Sequence, residues 1–576
     1  MLRSLVRSLP PSVRFALVAG RNLVRHPAAT IRGTLEVRAD QRRFARANAF
    51  LREGPRAEGP RALVVSLSGW PYQLKIEGLL LKALELEGLR PVVLTSRAVR
   101  GRAAPYQRAF GFTDVVEIDD YLPRDAAAEL EREARALLAG RMSVQRLKQL
   151  RYRDVNVGQQ VLSTLSRGLY RGSVPLDDPR AHRLLERLLP DSMGMCRGAE
   201  RVLEAVGPDV VVFNEARYAG NGSIFETALA RNLNVIQFVH AFSDDALVFK
   251  RYAAATSRVH PRSLGDEAWA EVAAGPWTDA MEAELDAQFE IRYAGRDLLS
   301  RRLHEHTRRR ARAELVAELG LDHAKPSAVV FSHVLWDANL FYGEDLFEDQ
   351  EEWLIETIRA AAANPRLNWI VKLHPANVWK RKLEGQMGEL PELAAIRAKI
   401  GPLPAHVHLL LPDTDVSTRS LFDVADCALT IRGTIGVEAP CFGVPVITAG
   451  TGHYSGRGFT VDSDSAASYR ALLARLEQVQ PLGTEQVLLA RKHAHALFCR
   501  RPMRFTSFTS VIEPNERLGH PLDHDVLLTL SSRAELERAE DLGVFARWAL
   551  DRSQEDYLAP LAVGEPAGVT LASRRD

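Results

Sequence analysis

Residues 428–450 read ALTIRGTIGVEAPCFGVPVITAG, and this stretch decides the interpretation of the C-terminal half of the chain. An apolar run ends at Arg432, a turn of small residues follows, and a second apolar run, GVPVI, comes shortly afterwards. The pattern predicts a buried strand, a tight turn at Gly433, a helix that begins near Thr434, and a second buried strand. Strands joined by a helix in this way are typical of a parallel sheet in an α/β domain.

Similar strand–helix pairs occur on both sides of this stretch and predict two doubly wound domains. Two such domains that face each other form a cleft along the carboxyl ends of their strands, where folds of this kind bind ligands. The charged segment between them, which contains RRLHEHTRRRARAEL, is expected to form solvated connecting helices. The predicted parts are a basic N-terminal arm (1–61), an N-terminal Rossmann-like acceptor domain with a helical insertion (62–264), a helical connector (265–325), a C-terminal Rossmann-like nucleotide-donor domain (326–500) and a C-terminal extension (501–576).

The composition is that of an ordinary globular protein, with 46% hydrophobic and 26% charged residues. The four cysteines are scattered without a CxxC pair, which fits a reducing cytoplasm and excludes a cysteine-based zinc site. A run of about 18 apolar residues, as a transmembrane helix requires, does not occur in the sequence.

The first 61 residues are strongly basic: they contain thirteen arginines and four acidic residues, while the whole chain has a net charge of +2. Two interpretations remain open. The segment is either a basic amphipathic element on the anionic inner face of the cytoplasmic membrane, or a solvated arm that packs on its own protein. The rest of the chain is mildly acidic, which argues against a nucleic-acid partner.

The sequence VKLHPAN places Lys372 and His374 at the C-terminal end of an apolar strand. Pro375 cannot continue the hydrogen-bond ladder, so the chain must turn there and present His374 at the predicted cleft. Such a histidine can donate a hydrogen bond to a phosphate oxygen or act as an acid or base. The alternative is a structural histidine at a strand end.

The turn after the opening strand offers complementary groups. Unpaired backbone N–H groups around Gly433 at the start of a helix predict an anion site, and Thr434 can cap the helix or donate its hydroxyl to a phosphate. Glu438 shares a helix face with Thr434 and can accept hydrogen bonds from ribose hydroxyls. The alternative is an ordinary strand–turn–helix connection with a routine cap.

Three further strand ends supply candidates. The sequence FSHVLWDANLFYG places Ser332 and His333 where they can contact a donor or acceptor phosphate, although its aromatic residues can also form lid packing. In the N-terminal domain, Glu215 can act as general base toward an acceptor hydroxyl or simply pair with Arg217. His240 is the second candidate base.

The sequence gives little sign of a metal site. No HExxH motif occurs, and Asp244-Asp245 resembles a metal-binding DxD only superficially. His493 and His495 are expected to face solvent.

These motifs together resemble a known family. The sequence KLHP followed by TIRGTIGVEAPCFGVPVI resembles the C-terminal domain of bacterial capsule polysaccharide biosynthesis proteins, which are GT-B-type transferases akin to Kdo transferases and similar to bacterial sialyltransferases. The resemblance implies a GT-B-like fold, nucleotide-phosphate contacts for His374 and Thr434, and a ribose contact for Glu438. Arg432 stands where the family often carries a hydroxyl residue, and its fixed charge can balance a diphosphate or a donor carboxylate.

The sequence therefore predicts a metal-independent glycosyltransferase without a cofactor, which moves a sugar from a CMP- or UDP-activated donor to a capsule or other cell-surface glycan or glycolipid. The predicted catalytic residues are Glu215, His240 and His374. The predicted donor-binding residues are Lys372, His374, Arg432, Gly433, Thr434, Glu438, Ser332 and His333. The alternatives are a CDP-glycerol-type polyol-phosphate transferase or nucleotide-sugar epimerase on the same fold, and a non-catalytic glycan-binding or assembly protein.

Overall fold

The computed structural model describes residues 27–140, 142–297, 299–304, 306–337, 340–383, 388–512 and 520–561. These residues form two large β-sheets with helices packed against them, and the main apolar clusters lie between sheet and helices. The beginning of the basic segment, residues 1–26, and the C-terminal residues 562–576 lie outside the described part.

The first sheet is built mainly from buried apolar strands of the N-terminal half. In chain order these strands are β1 (Arg61–Val65), β2 (Arg90–Thr95), β3 (Val115–Glu117), β4 (Pro208–Phe213), β5 (Asn234–His240) and β6 (Ala246–Tyr252). The first five are parallel in the spatial order β3-β2-β1-β4-β5, and β6 is antiparallel to β5. Runs such as ALVV in β1 are apolar on both faces, as parallel strands covered by helices on both sides require.

The second sheet is entirely parallel. Its strands are β7 (Ser327–Phe331), β8 (Asn368–Lys372), β9 (Val407–Leu410), β10 (Cys427–Thr430), β11 (Val446–Thr448) and β12 (Val461–Asp462). Their spatial order, β9-β8-β7-β10-β11-β12, reverses direction between β7 and β10. In such sheets ligands bind in the crevice at the carboxyl ends of the two strands beside the reversal.

Helices connect the strands, and several begin at a side-chain cap: Asp178, Thr278 and Asp349 each accept a hydrogen bond from a backbone N–H of the first helical turn. The helices in the first half of the chain are α1 (Pro27–Ala47), α2 (Pro71–Leu86), α3 (Arg100–Ala109), α4 (Ala127–Leu137), α5 (Val144–Lys148), α6 (Val157–Leu169), α7 (Pro179–Val206) and α8 (Asn221–Ala230). Those between the two sheets are α9 (Asp266–Ala274), α10 (Asp279–Tyr293), α11 (Arg301–His304) and α12 (Arg312–Leu319). The remaining ones are α13 (Gln350–Ala363), α14 (Ala376–Leu383), α15 (Pro391–Lys399), α16 (Thr418–Val424), α17 (Ile435–Glu438), α18 (Ala466–Leu473), α19 (Thr484–His495), α20 (Arg533–Glu537) and α21 (Glu540–Leu550).

The carboxyl ends of the two sheets face each other. The hydroxyl of Tyr218, which follows β4, donates a hydrogen bond to Asp337, which follows β7, at 2.9 Å. The amide nitrogen of Gln237 in β5 lies 3.5 Å from the hydroxyl of Tyr342. The predicted GT-B-like architecture, with two doubly wound Rossmann-like domains, a helical insertion (α4–α7) and a central cleft, is therefore confirmed.

The chain returns to the first sheet after the second one is complete. Strand β13 (Met503–Arg504) pairs with β6, and the hairpin of β14 (Phe508–Ile512) and β15 (His524–Leu528) follows. Side chains of this last part, among them Phe508 and Phe545, belong to the same buried cluster as Leu79 of α2. The residues after 500 thus complete the core of the first domain.

A buried charge network ties three distant segments of this domain together. The ammonium of Lys75 in α2 lies 3.0 Å from the carboxylate of Asp40 in α1 and 2.6 Å from that of Asp525 in β15. The side chains of Lys75 and Asp40 are almost completely buried. Charges in such surroundings must be paired, so the network fixes α1 and the C-terminal hairpin against α2.

We predict that Lys75→Met lowers the free energy of unfolding by about 3–5 kcal/mol, because it leaves the carboxylate of Asp525 without a cation and that of Asp40 with only the exposed Arg43. Urea unfolding measures the change. The matched control is Lys325→Met, which removes an exposed pair with Asp322 and should cost at most about 1 kcal/mol. Equal effects of the two substitutions would contradict the structural role of the Lys75 network.

Candidate functional site

Three strands of the second sheet end at the predicted crevice, and their side chains are tied to one another. Ser332, directly behind β7, accepts a hydrogen bond from the backbone N–H of His374, behind β8, at 2.9 Å. His333 Nε2 lies 3.2 Å from the backbone nitrogen of Ile431 and 3.1 Å from the hydroxyl of Thr430, at the end of β10. The structure thus brings Ser332, His333 and His374 together at the place where the strand order reverses.

The hydrogen bonds of His374 define its tautomer. Nδ1 accepts from the backbone N–H of Ala376 at 3.1 Å, so the proton of the neutral ring is on Nε2. Burial, together with the charges of Lys380 and Lys372, lowers the pKa of His374 to about 3. At neutral pH this residue is therefore a neutral imidazole whose Nε2–H has no acceptor among the described residues and can donate to an anion.

The other two candidates at these strand ends, His333 and Ser332, mainly hold neighbouring backbone segments in position. Because His333 Nε2 accepts from Ile431, the ring of His333 holds the end of β7 against the end of β10. Burial and the neighbouring charges lower the pKa of His333 to about 3 as well. Ser332 is buried, and its hydroxyl positions the backbone of His374.

Lys372 lies beneath the site. Its side chain is buried and the ammonium donates to the backbone carbonyl of Val416 at 3.0 Å. Burial lowers the pKa of Lys372 to about 8. The direct phosphate contact predicted for Lys372 does not fit this geometry; its charge acts on the site through the field that it exerts, for example on His374.

The turn at Gly433 is as predicted in position, but the helix that follows is shorter than expected. Helix α17 contains only four residues, and a 3₁₀ turn from Ala439 to Phe442 continues it. Thr434 precedes α17 without a capping hydrogen bond from its side chain, and so short a helix has little macrodipole. The backbone N–H groups of Thr434 and Ile435 nevertheless have no acceptor in the described part of the chain.

Gly433 lies in a close approach. A Cβ atom at this position would lie 3.0 Å from the hydroxyl of Thr430 and 3.6 Å from the ring of His333. A side chain here would press on the hydroxyl of Thr430, so glycine favours the tight turn between the ends of β10 and β7.

Glu438 is engaged in a buried ion pair. Its carboxylate accepts from Arg292 at 2.8 Å and from the hydroxyl of Tyr293 at 2.7 Å, and its side chain is 1% exposed. Although burial alone would raise it, the pKa of Glu438 is lowered by the charge and hydrogen bonds of Arg292. Both oxygens already have donors, so Glu438 fastens helix α10 to the turn at Gly433, and a ribose contact would have to share these oxygens.

Arg432 keeps free donors beside the same turn. One terminal nitrogen of Arg432 is paired with the carboxylate of Asp345. Its Nε and Nη1 atoms are buried and have no partner among the described residues. The guanidinium is therefore held in position by Asp345, with two nitrogens left for another acceptor.

The two candidate bases of the first domain differ sharply. The carboxylate of Glu215 accepts from the backbone N–H groups of Ala216 and Arg217 and from the guanidinium of Arg217. Burial alone would raise the pKa of Glu215, but the charge of Arg217 keeps it below its ordinary value. Both oxygens of this carboxylate already accept hydrogen bonds, so Glu215 is not the unpartnered base that its position at a strand end suggested.

His240 has the opposite surroundings. Its Nε2 is buried without a hydrogen-bond partner among the described residues, and its ring lies 5.0 Å from that of His524 and 5.7 Å from that of Tyr72. Burial and the charge of Arg262 lower the pKa of His240 to about 4. The residue is neutral at physiological pH and retains an unused nitrogen.

Sequence reasoning missed the contribution of the connector. Arg292, Tyr293 and His304 were assigned to solvated helices, but Arg292 and Tyr293 bind Glu438 and His304 is buried beside Tyr293. The usable signal was the helical spacing of Leu285, Phe289 and Arg292, which form the buried face of α10. His524 was missed because it reaches the cleft from a hairpin far along the chain.

The structure also corrects the expectation for His493 and His495, which are both buried. His495 Nε2 lies 2.9 Å from the carboxylate of Glu284, and ligand atoms of these two residues and Cys499 lie within 4.8 Å of one another. Metal-bound imidazoles normally bond through their second nitrogen, whereas Nδ1 of His495 has no partner in the described part of the chain. A hydrogen bond between α10 and α19 is the better description.

We predict that the buried histidines make the protein sensitive to acid. Burial and Arg292 lower the pKa of His304 to about 3, below the value of about 6.5 in an unfolded chain. The unfolded state therefore binds more protons below pH 6.5, and stability falls as the pH drops through this range. Urea unfolding at pH 7.5 and 5.5 should show that His304→Asn reduces the loss between these pH values by about 1 kcal/mol. The control His323→Asn changes an exposed histidine and should leave the loss unchanged; an unchanged loss in His304→Asn would contradict the prediction.

Comparisons with known proteins give one family match and several distant structural likenesses. Residues 284–480 match the family model of the capsule polysaccharide biosynthesis protein. No curated protein sequence matches the chain. Among solved structures, the chain is similar to Thermosulfurimonas dismutans KpsC, a beta Kdo 2,4 transferase (14% identity, 50% of this chain and 79% of that one, TM-score 0.30). It is also similar to the UDP-GlcNAc 2-epimerase from Neisseria meningitidis (11% identity, 75% of this chain and 97% of that one, TM-score 0.24). A further similar structure is the spinosyn rhamnosyltransferase SpnG (10% identity, 75% of this chain and 95% of that one, TM-score 0.23).

These structural likenesses are distant and do not identify an activity. The family match is more specific because it contains most of the connector helix α10, the HP turn and the turn at Gly433. The matched segment, residues 284–480, contains the strand ends of the second sheet that form the candidate site, and the match agrees with the resemblance seen in the sequence.

Proposed function

We propose that this protein is a glycosyltransferase that moves a sugar from a CMP- or UDP-activated donor to a capsule or other cell-surface polysaccharide. The proposal rests on one observation. Several hydrogen-bond donors without acceptors among the described residues lie where the strand order of the second sheet reverses. We call these groups the donor-side cluster; it consists of His374 Nε2–H, the free nitrogens of Arg432, and the backbone N–H groups of Thr434 and Ile435.

In this proposal the donor-side cluster holds the phosphate nearest to the nucleoside. The neutral His374 supplies direction through a single N–H bond, and Arg432 supplies charge through a guanidinium that Asp345 already orients. Negative charge grows on the oxygen of the sugar-linked phosphate as the bond to the sugar breaks; in a CMP donor this is the phosphate held by the cluster, and in a UDP donor it is the phosphate next to it. Donors placed in advance stabilise that charge with little reorganisation, and the fixed charges of Arg432 and the underlying Lys372 can do so without a required cation or a cofactor.

The proposed general base is His240. It is neutral at physiological pH and keeps a nitrogen without a partner, whereas both oxygens of Glu215 are occupied by Arg217 and the adjacent backbone. His240 would take the proton of the acceptor hydroxyl as the hydroxyl oxygen attacks the anomeric carbon and the nucleotide departs. The neighbouring His524 and Tyr72 would line the acceptor side.

The same contacts argue against an epimerase on this fold. Such chemistry would need several carboxylates that converge on one sugar carbon, and the two candidates, Glu215 and Glu438, are each bound to an arginine. A CDP-glycerol-type transferase would use the same phosphate contacts, and a non-catalytic glycan-binding protein would not release nucleotide. Both are outcomes of the donor test below.

We further propose that the protein works in the cytoplasm beside the inner membrane face, where a lipid-linked acceptor would be available. Helix α1 buries Val37 and Phe44 against the first domain, while Ile31 and Leu35 are 50% and 56% exposed on its outer side. Arg38 and other basic residues share that exposed surface, which suits an anionic lipid surface. Among the described residues, no helix has the length and apolar character needed to cross a membrane.

We predict that His374→Ala lowers sugar transfer at least about 100-fold and weakens nucleotide binding about 10-fold or more, because a charge-assisted hydrogen bond to the phosphate is lost. Release of CMP, UDP or CDP from a panel of activated donors measures transfer, and thermal shifts with the free nucleotides measure binding.

The control for this prediction is His323→Ala, which changes an exposed histidine and should retain full activity. A His374→Ala protein that is folded and turns over a verified donor at the original rate would overturn the assigned site. Selective turnover of CDP-glycerol would replace sugar transfer by polyol-phosphate transfer, and the absence of any nucleotide effect would favour the binding protein.

A further inference from the structure

One arginine in the cleft, Arg262, has no counter-charge among the residues that the structure describes. Arg262 lies on the segment between β6 and α9, and one of its terminal nitrogens donates to the backbone carbonyl of His240 at 2.7 Å. Its Nε atom is buried without a partner. No carboxylate of the described residues lies within ion-pair distance of this guanidinium, so its charge is balanced by nothing but backbone and aromatic contacts.

The surroundings of Arg262 add further positive charge. The guanidinium carbons of Arg262 and Arg292 lie 4.6 Å and 4.8 Å from the centre of the same ring, that of Phe242. Burial and the charges of Arg217 and Arg292 lower the pKa of Arg262 to about 10.

The neighbouring arginines are each paired with one acid, in contrast to Arg262. Arg292 is paired with Glu438 and Arg217 with Glu215. The local balance is therefore one cation in excess. A desolvated cation without compensation is costly, which points to an anion that arrives from outside.

Arg262 lies between the two halves of the proposed site. It binds the backbone of His240, the candidate base, and shares Phe242 with Arg292, whose guanidinium lies 3.3 Å from the hydroxyl of Thr434 in the donor turn. An anion bound by Arg262 would consequently lie between the donor-side cluster and the base.

The segment that carries Arg262 is fixed on both sides. The backbone carbonyl of Pro261 accepts from Arg501 at 2.6 Å, and Arg501 is paired with Asp556. The backbone carbonyl of Arg258 accepts from the N–H of Gly343 in the second domain at 2.9 Å. Arg262 is thus held in the cleft before any ligand binds, as a preorganised binding residue should be.

We propose that Arg262 binds a second anionic group of the donor, a carboxylate or a phosphate, next to the phosphate held by the donor-side cluster. The inference rests on the proposed function and makes it more specific: the enzyme selects donors that carry two separate negative groups. Arg292 also keeps two nitrogens, Nε and Nη1, without a partner among the described residues, so a second guanidinium is available to the same group.

The test measures how much affinity one added anionic group contributes. Dissociation constants are determined by calorimetry for CMP, CDP, UMP, UDP and CMP-N-acetylneuraminate with the full chain. The addition of a phosphate (CMP to CDP, UMP to UDP) or of a carboxylated sugar (CMP to CMP-N-acetylneuraminate) should tighten binding to the wild type by about 10-fold or more. Arg262→Gln should abolish that gain and change the affinity for the monophosphates by less than about 3-fold.

A matched control and a second variant keep the test decisive. Arg419 lies 4.1 Å from the ring of Phe442 but is paired with Asp423, so Arg419→Gln removes a similar stacked arginine and should leave the gain intact. Arg262→Lys keeps the charge and should retain part of the gain.

Each outcome has one meaning. A gain from phosphate alone identifies a diphosphate donor, and a gain from the carboxylated sugar alone identifies an acidic sugar donor. The absence of a gain in the wild type, or a gain that survives in Arg262→Gln, overturns this inference and leaves the proposed function in place. The absence of binding by every nucleotide overturns the proposed function itself.

Discussion

The buried contact of Arg292 and Tyr293 with Glu438 determines how the rest of the site is arranged. It joins helix α10 of the connector to α17, directly behind the donor turn, and the charged side chains of Arg292 and Glu438 are almost wholly removed from water. Removal of either charge would leave the other unpaired in the interior, at a cost of about 3–5 kcal/mol. The connector is therefore a wall of the cleft, and it brings Arg292 to Phe242 and hence into contact with the segment of Arg262.

In this site, neutral histidines fix the direction of hydrogen bonds, and arginines supply the positive charge. A permanently charged histidine would be expensive at the buried positions of His374 and His333, and their pKa values of about 3 show that burial keeps both rings neutral. Backbone N–H groups fix which ring nitrogen carries the proton. The charge comes from arginines, which stay ionised in such surroundings.

The sequence predicted the strands, the cleft and the placement of polar residues at strand ends, because these depend on local apolar patterns and on Pro375 and Gly433. It offered the pair of Glu215 with Arg217 as an alternative, because Arg217 is only two residues away, but it did not predict that Glu438 is occupied. The partner of Glu438 is 146 residues away, and no local pattern indicates a contact over that distance. The short length of α17 has a local cause that the strand–turn–helix pattern did not take into account: Pro440 follows closely, and a 3₁₀ turn begins at Ala439.

The first domain's side of the cleft depends on the return of the chain after residue 500. His524 lies beside His240 in the cleft, and Arg501 with Asp556 holds the segment that carries Arg262. Residues after 500 thus complete the site, whereas the strand ends of the second sheet that contribute to it all lie before residue 450. Because the donor-side cluster belongs to the second sheet and Arg262 to the first, a donor with two anionic groups would bind both domains at once. Its binding energy would then favour the closed cleft, in which water is excluded and each of these electrostatic contacts is stronger.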